Sequence, residues 1–289
     1  MKIKTILENF PELQILVGSR EEEVSYIWAD SRKIQVSDIF LVSTAIEDLK
    51  YLKDAASKGA KVLILTKDSN LIDSAKHEFP TIILSSEPAE QIQGKIASFL
   101  LGNPSLSLKV IAVTGTNGKT SMTHILDHFA STLGYRTGLI GTLHARFGNQ
   151  IIETGYTTPD SSTLQWVLSE MVKDGIEFVF IEASSHGLKL GRTAGLDIYG
   201  AIFTNLTKDH MDFHPTIEDY LYSKFRLFLL LKESKKEGKF GIVYTDASGG
   251  KEMEDLIRRH ELTDIVSFVG SNQSFEFLTP KLSINGSEF

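Results

Sequence analysis

The sequence predicts an α/β protein: a small N-terminal α/β part, then a P-loop-type central part whose mostly parallel sheet is covered by helices. Three observations carry this reading. Short apolar runs alternate with helix-length amphipathic segments, the pattern of a parallel sheet with both faces covered. One apolar run leads directly into "TGTNGKT" (Thr114–Thr120), a glycine-rich turn that opens a helix. Finally, 289 residues with 42% hydrophobic and 23% charged side chains suffice for buried cores in about two domains.

In the first hundred residues "DIFLV" (Asp38–Val42), "KVLIL" (Lys61–Leu65) and "TIILS" (Thr81–Ser85) read as buried strands. "DLKYLKDAASKGA" reads as a helix ending at Gly59, and "AEQIQGKIASFLLG" as a second amphipathic helix. "GNPSLSLK" (Gly102–Lys109) has linker punctuation, so the expected units are 1–103 and 104–289.

The second series is more regular. "KVIAVTG" is a strand, and "KTSMTHILDHFASTLG" a helix with Gly134 at its C-terminal end. "RTGLIGT" is the next strand, and "PDSSTLQWVLSEMVKDG" a helix capped by Asp160 or Ser161 and closed by Gly175. "FVFIEAS" and "AIFTN" are strands, and "TIEDYLYSKFRLFLLLK" is a helix. "FGIVYTD", a helix from about Gly250 to His260, and "IVSFVG" complete the pattern. Ligands of such sheets collect beyond the carboxyl ends of the strands.

Composition narrows the function classes. Thirty basic against 37 acidic residues give a net charge of −7, which argues against nucleic acid or an anionic membrane as partner. The absence of cysteine excludes disulfides, thiolate zinc sites and cysteine nucleophiles, and fits a reducing cytoplasm. The start, "MKIKTILENFPELQ", lacks the apolar stretch of a signal peptide, and "LFLLL" (Leu227–Leu231) is too short to span a bilayer. The expected protein is soluble and cytoplasmic.

The glycine loop is the sharpest motif. The usual recipe is G-x-x-x-x-G-K-[ST], yet Val113 stands where the first glycine belongs, and Gly115 lies three residues before Gly118. Between strand and helix, successive N–H groups of such a loop face an anion. Lys119 would reach the outer phosphates and the Thr120 hydroxyl would ligate magnesium. An ordinary glycine-rich turn uses the same residues, and the strand–turn–helix context favours the phosphate reading.

If Thr120 holds magnesium, a carboxylate at a neighbouring strand end should help, and Glu182 ends "FVFIE". A strand-end glutamate facing solvent is the plainer alternative. "SSHG" and "TKDHMDFH" supply hydroxyls, Asp209, His210, Asp212 and His214 after two strands. The H-x-x-x-H spacing suggests zinc, but a structural zinc site needs a closed ligand set; magnesium beside phosphates suits these donors better.

"VTGTNGKTS", "YTTPD", "EASSHGL" and "FTNLTKDHMDFH" resemble the motif series of the Mur ligases, from about Asp30 to the end of the chain. Among them the motifs are most similar to members that add the third peptide residue to UDP-N-acetylmuramoyl-L-alanyl-D-glutamate. The shortened loop G-T-x-G-K-[ST] is that family's own form.

The resemblance implies an ATP-dependent ligase that phosphorylates a carboxylate and lets an amine attack the acyl phosphate. It implies ATP on Gly115, Thr116, Asn117, Gly118, Lys119, Thr120 and Ser121, with Lys119, Glu182, His210 and Lys224 catalytic. Thr120 and Glu182 would hold one magnesium, and His210 a second. Lys224 corresponds to a lysine carbamylated by carbon dioxide; its carbamate would supply anionic oxygens to magnesium. Carbamate formation needs the neutral amine. Ser31 in "DSRK" would contact the uridine end, and Thr157, Thr158 and Ser184 the sugar–diphosphate and peptide region. Arg192 would pair with a substrate phosphate or carboxylate. The substrates would be the UDP-N-acetylmuramoyl dipeptide and an amino acid.

Some positions depart from the family. Leu190 replaces a polar glutamine, and "STAIEDLKYL" lacks the glycine-containing stretch and Asp-Gly-His turn. The chain stops at "LSINGSEF", about where the amine-binding domain should begin, and has no Asp-Asn-Pro-Arg motif. A binding module without turnover is therefore a second reading, and a folylpolyglutamate-type ligase a third. "DSRK" and "TTPD" argue against the third. A bare P-loop kinase or GTPase fits less, because nothing reads as a guanine-specificity loop.

Overall fold

The structure is a computed structural model that describes residues 1–42 and 48–271, together with the backbone of 281–283 and 286–288. The departure read at Ser43–Glu47, within "STAIEDLKYL", lies outside the described residues, as do Ile284, Asn285 and Phe289 of "LSINGSEF". The first part contains α1 (Ile3–Asn9), β1 (Leu13–Val17), β2 (Ile27–Trp28), β3 (Ile39–Leu41), α2 (Leu49–Ser57), β4 (Val62–Thr66), α3 (Ile72–Ala75), β5 (Thr81–Ser85) and α4 (Ala89–Leu100). Its five-stranded sheet runs β1-β5-β4-β3-β2, parallel except for β1 against β5.

Alternation along β4 shows why a continuous apolar run makes a central strand. Val62 and Ile64 point into one cluster with Ile3, Ile6, Ile92 and Ile96 of α1 and α4. Leu63 and Leu65 point into the other, with Leu52 and Ala55 of α2. Successive side chains leave opposite faces, so a sheet buried on both sides needs apolar residues at every position.

The second part contains β6 (Lys109–Thr114), α5 (Lys119–Thr132), β7 (Thr137–Ile140), β8 (Ala145–Phe147), β9 (Gln150–Ile152), α6 (Ser161–Lys173), β10 (Phe178–Glu182), α7 (Ser185–Lys189), β11 (Gly200–Phe203), α8 (Ile217–Glu233), β12 (Phe240–Tyr244), α9 (Gly250–Arg259) and β13 (Val266–Val269). A short antiparallel pair follows, β14 (Lys281–Ser283) and β15 (Gly286–Glu288). The eight-stranded sheet runs β13-β12-β11-β6-β10-β7-β8-β9. It is parallel from β13 to β7, and β8 and β9 add an antiparallel edge. Val110 and Ala112 face the large core under α6, α8 and α9, whereas Ile111 and Val113 face α5 through Met122, Leu126 and Ala130.

The structure adds short elements that the sequence reading did not name, β2, α3 and α7 among them. The N-terminal stretch forms α1 and the antiparallel β1, because a seven-residue helix and a twisted edge strand are too short for clear periodicity. The β8–β9 hairpin was equally hidden in three-residue strands. The expected linker is a packed 3-10 turn, Pro104–Ser107, with Pro104 and Ser105 buried and Ser105 Oγ accepting from Asp197 N at 2.9 Å.

The two sheets meet through α4 and α6. Trp166 packs against the cores of both parts. Tyr26 Oη donates to Ser162 O at 2.7 Å, and Gln93 Nε2 to Ser162 Oγ at 2.7 Å. Gly94 lies so close to the Ala194 carbonyl that a Cβ there would overlap it. This seam sets the Ser31 turn against the N-terminus of α6: Lys33 Nζ donates to Thr163 Oγ1 at 2.5 Å, and Asp160 caps the helix through Thr163 N.

Candidate active site

β6 lies between β10 and β11, with Glu182 paired to Val113 and Phe203 to Thr114. The loops after these three strands therefore leave the sheet side by side. Val113 is fully buried and paired on both sides, with Glu182 and Ile202. The position of the missing glycine is thus still strand, and the turn begins only at Gly115.

Gly115 (φ +149°) and Gly118 (φ +85°) adopt backbone conformations that favour glycine. A Cβ on Gly115 would also overlap Thr204 Oγ1. Residues after β11 hold the loop. Thr116 N donates to Asn205 O at 2.9 Å, Asn117 N to Asn205 Oδ1 at 3.0 Å, and Thr204 Oγ1 to Asn117 O at 2.7 Å. Gly118 precedes α5 with no side chain capping the first turn, which leaves the N–H groups of that turn for an anion.

Two lysines converge on one carbonyl. Lys119 Nζ donates to Gly115 O and Thr116 O, both at 2.9 Å, and Lys224 Nζ to Gly115 O at 2.8 Å. Lys224 is 1% exposed, with its ammonium position 4.2 Å from the Tyr220 ring centroid. Burial, and then the positive charge of Lys119, push Lys224 down to about 6, against the opposing pull of Asp209. Burial lowers Lys119 too, opposed by Glu182 and Asp209.

Glu182 is 1% exposed. Its Oε2 accepts from Thr120 Oγ1 at 2.7 Å and from Thr142 Oγ1 at 3.0 Å, and its Oε1 from Thr142 N at 3.0 Å. A hydroxyl and a carboxylate meeting at the start of α5 are the hard oxygen donors magnesium takes alongside phosphate oxygens. The residues present fit one such ion at Thr120 and Glu182.

His210 occupies a different setting. It has φ +53°, stands half exposed, and its Nε2 lies 3.5 Å from Asp209 Oδ2. Its ring meets His186 edge-on at 4.9 Å, while His186 stacks on Phe213 at 3.9 Å. Among the described residues no group of three or more His, Asp or Glu forms a metal-holding set. The second histidine of the H-x-x-x-H spacing is already engaged: His214 Nδ1 pairs with Asp219 Oδ2 at 2.7 Å and its Nε2 with Ser185 Oγ at 3.0 Å. Both ring nitrogens of that buried histidine are in use.

Thr157, Thr158, Ser184 and Arg192 form one connected patch beside Glu182. Thr142 Oγ1 reaches Thr157 Oγ1 at 3.2 Å. Thr158 Oγ1 donates to Glu182 O at 2.9 Å and lies 3.0 Å from Ser184 Oγ. Arg192 Nη1 donates to Thr158 O at 3.0 Å, and its guanidinium covers the Tyr156 ring at 4.3 Å. Ser184 also caps α7 through Gly187 N. Ser31 is buried in its 3-10 turn, and its carbonyl accepts from Lys58 Nζ at 3.0 Å. It reaches this region only through the turn that docks on α6. Leu190 is 37% exposed at the end of α7.

Sequence reasoning passed over Thr142, Asn205 and Tyr220. Asn205 pins the loop, and Tyr220 Oη lies 3.1 Å from Thr116 Oγ1. The signal for Thr142 was present in "GLIGT": a small residue and a hydroxyl at the end of the strand beside Glu182.

Fold and site together define a parallel-sheet α/β protein with a short phosphate-loop-type turn between its central strand and first helix. The family profile of the Mur ligase middle domain matches residues 113–287. The chain belongs to the Mur ligase family. It is 43% identical over 297 residues to the UDP-N-acetylmuramoyl-L-alanyl-D-glutamate--2,6-diaminopimelate ligase of Leptospira borgpetersenii, covering 100% of this chain and 58% of that protein. A solved structure of a ligase of the same name superposes with a TM-score of 0.81 at 25% identity, over 99% of this chain and 56% of the other. The folylpolyglutamate synthase of Mycobacterium tuberculosis shares the fold at a TM-score of 0.53 and 17% identity, over 66% of this chain and 49% of that one. The chain thus spans little more than half the length of the ligases it matches.

Proposed function

We propose that this chain carries the ATP- and precursor-binding part of a ligase that extends UDP-N-acetylmuramoyl-L-alanyl-D-glutamate by one amino acid in peptidoglycan precursor synthesis. The amine named by the relative is 2,6-diaminopimelate. In this reading ATP lies on Gly115–Ser121, its γ-phosphoryl group passes to the precursor carboxylate, and the amine displaces phosphate from the acyl phosphate. The expected units, 1–103 and 104–289, would hold the uridine end and the nucleotide respectively, in the cytoplasm.

The observation that carries the reading is the meeting at Gly115 of a loop lysine and a buried helical lysine. Little covalent chemistry is asked of a protein in phosphoryl transfer; it positions the groups and stabilises charge. Lys119 is within reach of an anion on the loop and would exchange its two loop carbonyls for phosphate oxygens. Lys224, neutral near pH 7, can attack carbon dioxide with its free pair and lose one proton, becoming a carbamate. Thr120 and Glu182 would hold magnesium, and His210 with the Lys224 carbamate would hold a second ion. When bound, magnesium supplies charge neutralisation to the phosphate oxygens. Thr157, Thr158, Ser184 and Arg192 would bind the muramoyl peptide, and Ser31 the uridine end. No described helix is long and apolar enough to cross a membrane.

Calorimetric titration with UDP-N-acetylmuramoyl-L-alanyl-D-glutamate tests the substrate. Saturable binding to the parent, weakened at least tenfold by Arg192→Ala, is expected. Binding of a folate monoglutamate in its place would support the folylpolyglutamate alternative instead.

A further inference from the structure

Against one hydrogen bond from Thr120 to the Glu182 carboxylate, Thr142 makes two. Its backbone N–H donates to Oε1 at 3.0 Å, and its hydroxyl to Oε2 at 3.0 Å. Both carboxylate oxygens are therefore held by one residue, on the turn just after β7. The preceding residue makes this approach possible: a Cβ on Gly141 would overlap Oε1 itself. The turn is anchored from behind. Gly141 N donates to His144 O at 3.2 Å, and Arg146 of β8 pairs with the buried Asp127 of α5 at 2.6 Å. The β7–β8 hairpin is thereby tied to the helix that begins at Lys119.

The hydroxyl has a second acceptor. Thr142 Oγ1 also lies 3.2 Å from Thr157 Oγ1 in donor geometry. A threonine hydroxyl carries one proton, so it satisfies Glu182 or Thr157, and not both at once. Thr120 and Glu182 would hold the cation, and with Glu182 so engaged the Thr142 proton would be available to Thr157. Thr142 thus joins the cation side of the site to the patch beside Arg192.

We propose that Thr142 is a positioning residue: its N–H holds the Glu182 carboxylate and its hydroxyl pre-orients it before a divalent cation binds, and the single hydroxyl proton, once released by Glu182, couples that carboxylate to Thr157. This rests on the nucleotide and precursor reading above and adds a residue and a direction of coupling to it. Residues that orient metal-ligating carboxylates commonly change metal affinity 10- to 100-fold when removed.

The test titrates ATP into the 289-residue chain with and without magnesium, for the parent, Thr142→Val, Thr142→Ser and Lys119→Ala. Thr142→Val should cut the gain in affinity from magnesium about tenfold, leave magnesium-free affinity within about twofold, and be rescued by Thr142→Ser. An unchanged magnesium gain in Thr142→Val overturns the proposal, and so does an equal loss with and without magnesium, which marks general loosening. Precursor affinity is then measured with and without magnesium–ATP. The parent should show a severalfold dependence that Thr142→Val abolishes; dependence that survives the substitution, or is missing from the parent, removes the link to Thr157. Lys119→Ala serves as the separate control. If it binds ATP like the parent, the phosphate-loop reading fails, whatever Thr142 does.

Discussion

Lys224 Nζ donates to the Gly115 carbonyl across 2.8 Å, from a side chain that is 1% exposed. The glycine-loop carbonyl thus receives a hydrogen bond from an amine held down to about 6, and that protonation state has two measurable consequences.

The first concerns stability. The unfolded lysine keeps its proton up to about pH 10.5, whereas the folded one releases it near 6. Between those values the unfolded state binds more protons, so this group's contribution to folding stability rises with pH. The slope attributable to it is at most about 1.4 kcal/mol per pH unit. Urea unfolding at pH 6.5 and 9, in carbon dioxide-free buffer, should show a clear rise for the parent and a flatter one for Lys224→Met. Equal slopes would contradict the lowered value.

The second concerns carbon dioxide. With ¹³C-bicarbonate supplied, a carbamate resonance is expected from the parent near neutral pH and is absent from Lys224→Met. A signal of equal intensity in both would assign it to another amine.

His214 tests the zinc spacing from the other side. Its ring nitrogens are bonded to Asp219 and Ser185, and burial holds its pKa below the ordinary histidine range. His214→Phe should cost about 2 kcal/mol in urea unfolding, because Ser185 loses a buried partner. Elemental analysis should find no zinc in the parent. Stoichiometric zinc lost in the variant would reverse the assignment.

Gly94 tests the seam between the sheets. A Cβ there would overlap the Ala194 carbonyl, which is backbone. Gly94→Ala should therefore destabilise the chain by about 1–3 kcal/mol, despite the better helix propensity of alanine. An unchanged urea midpoint would mean that the two parts separate at little cost.

The fold was legible where burial acts on long runs. "KVLIL" and "FVFIE" read as central strands because both of their faces are apolar, and Gly59, Gly134 and Gly175 ended helices where left-handed backbone is needed. Short elements were not legible: α1 and the β8–β9 hairpin acquire their meaning from partners distant in sequence. The same divide runs through the site. Lys119 and Thr120 at the start of α5 and Glu182 at the end of β10 stand in recognisable strings, so the sequence could single them out as candidates. Lys224 shows in sequence only as one helical lysine among many; its burial against Gly115 is a tertiary fact. Thr142 was not singled out because what distinguishes it is two hydrogen bonds to a residue forty positions away.

The most direct test of the account is the affinity of magnesium–ATP for the parent and Lys119→Ala, measured by calorimetry at matched folding stability. The account predicts one site per chain in the parent, weakened at least about tenfold in the variant, since an ion-assisted contact of this kind is worth about 1.5–3 kcal/mol. Equal affinity in the two proteins would contradict it.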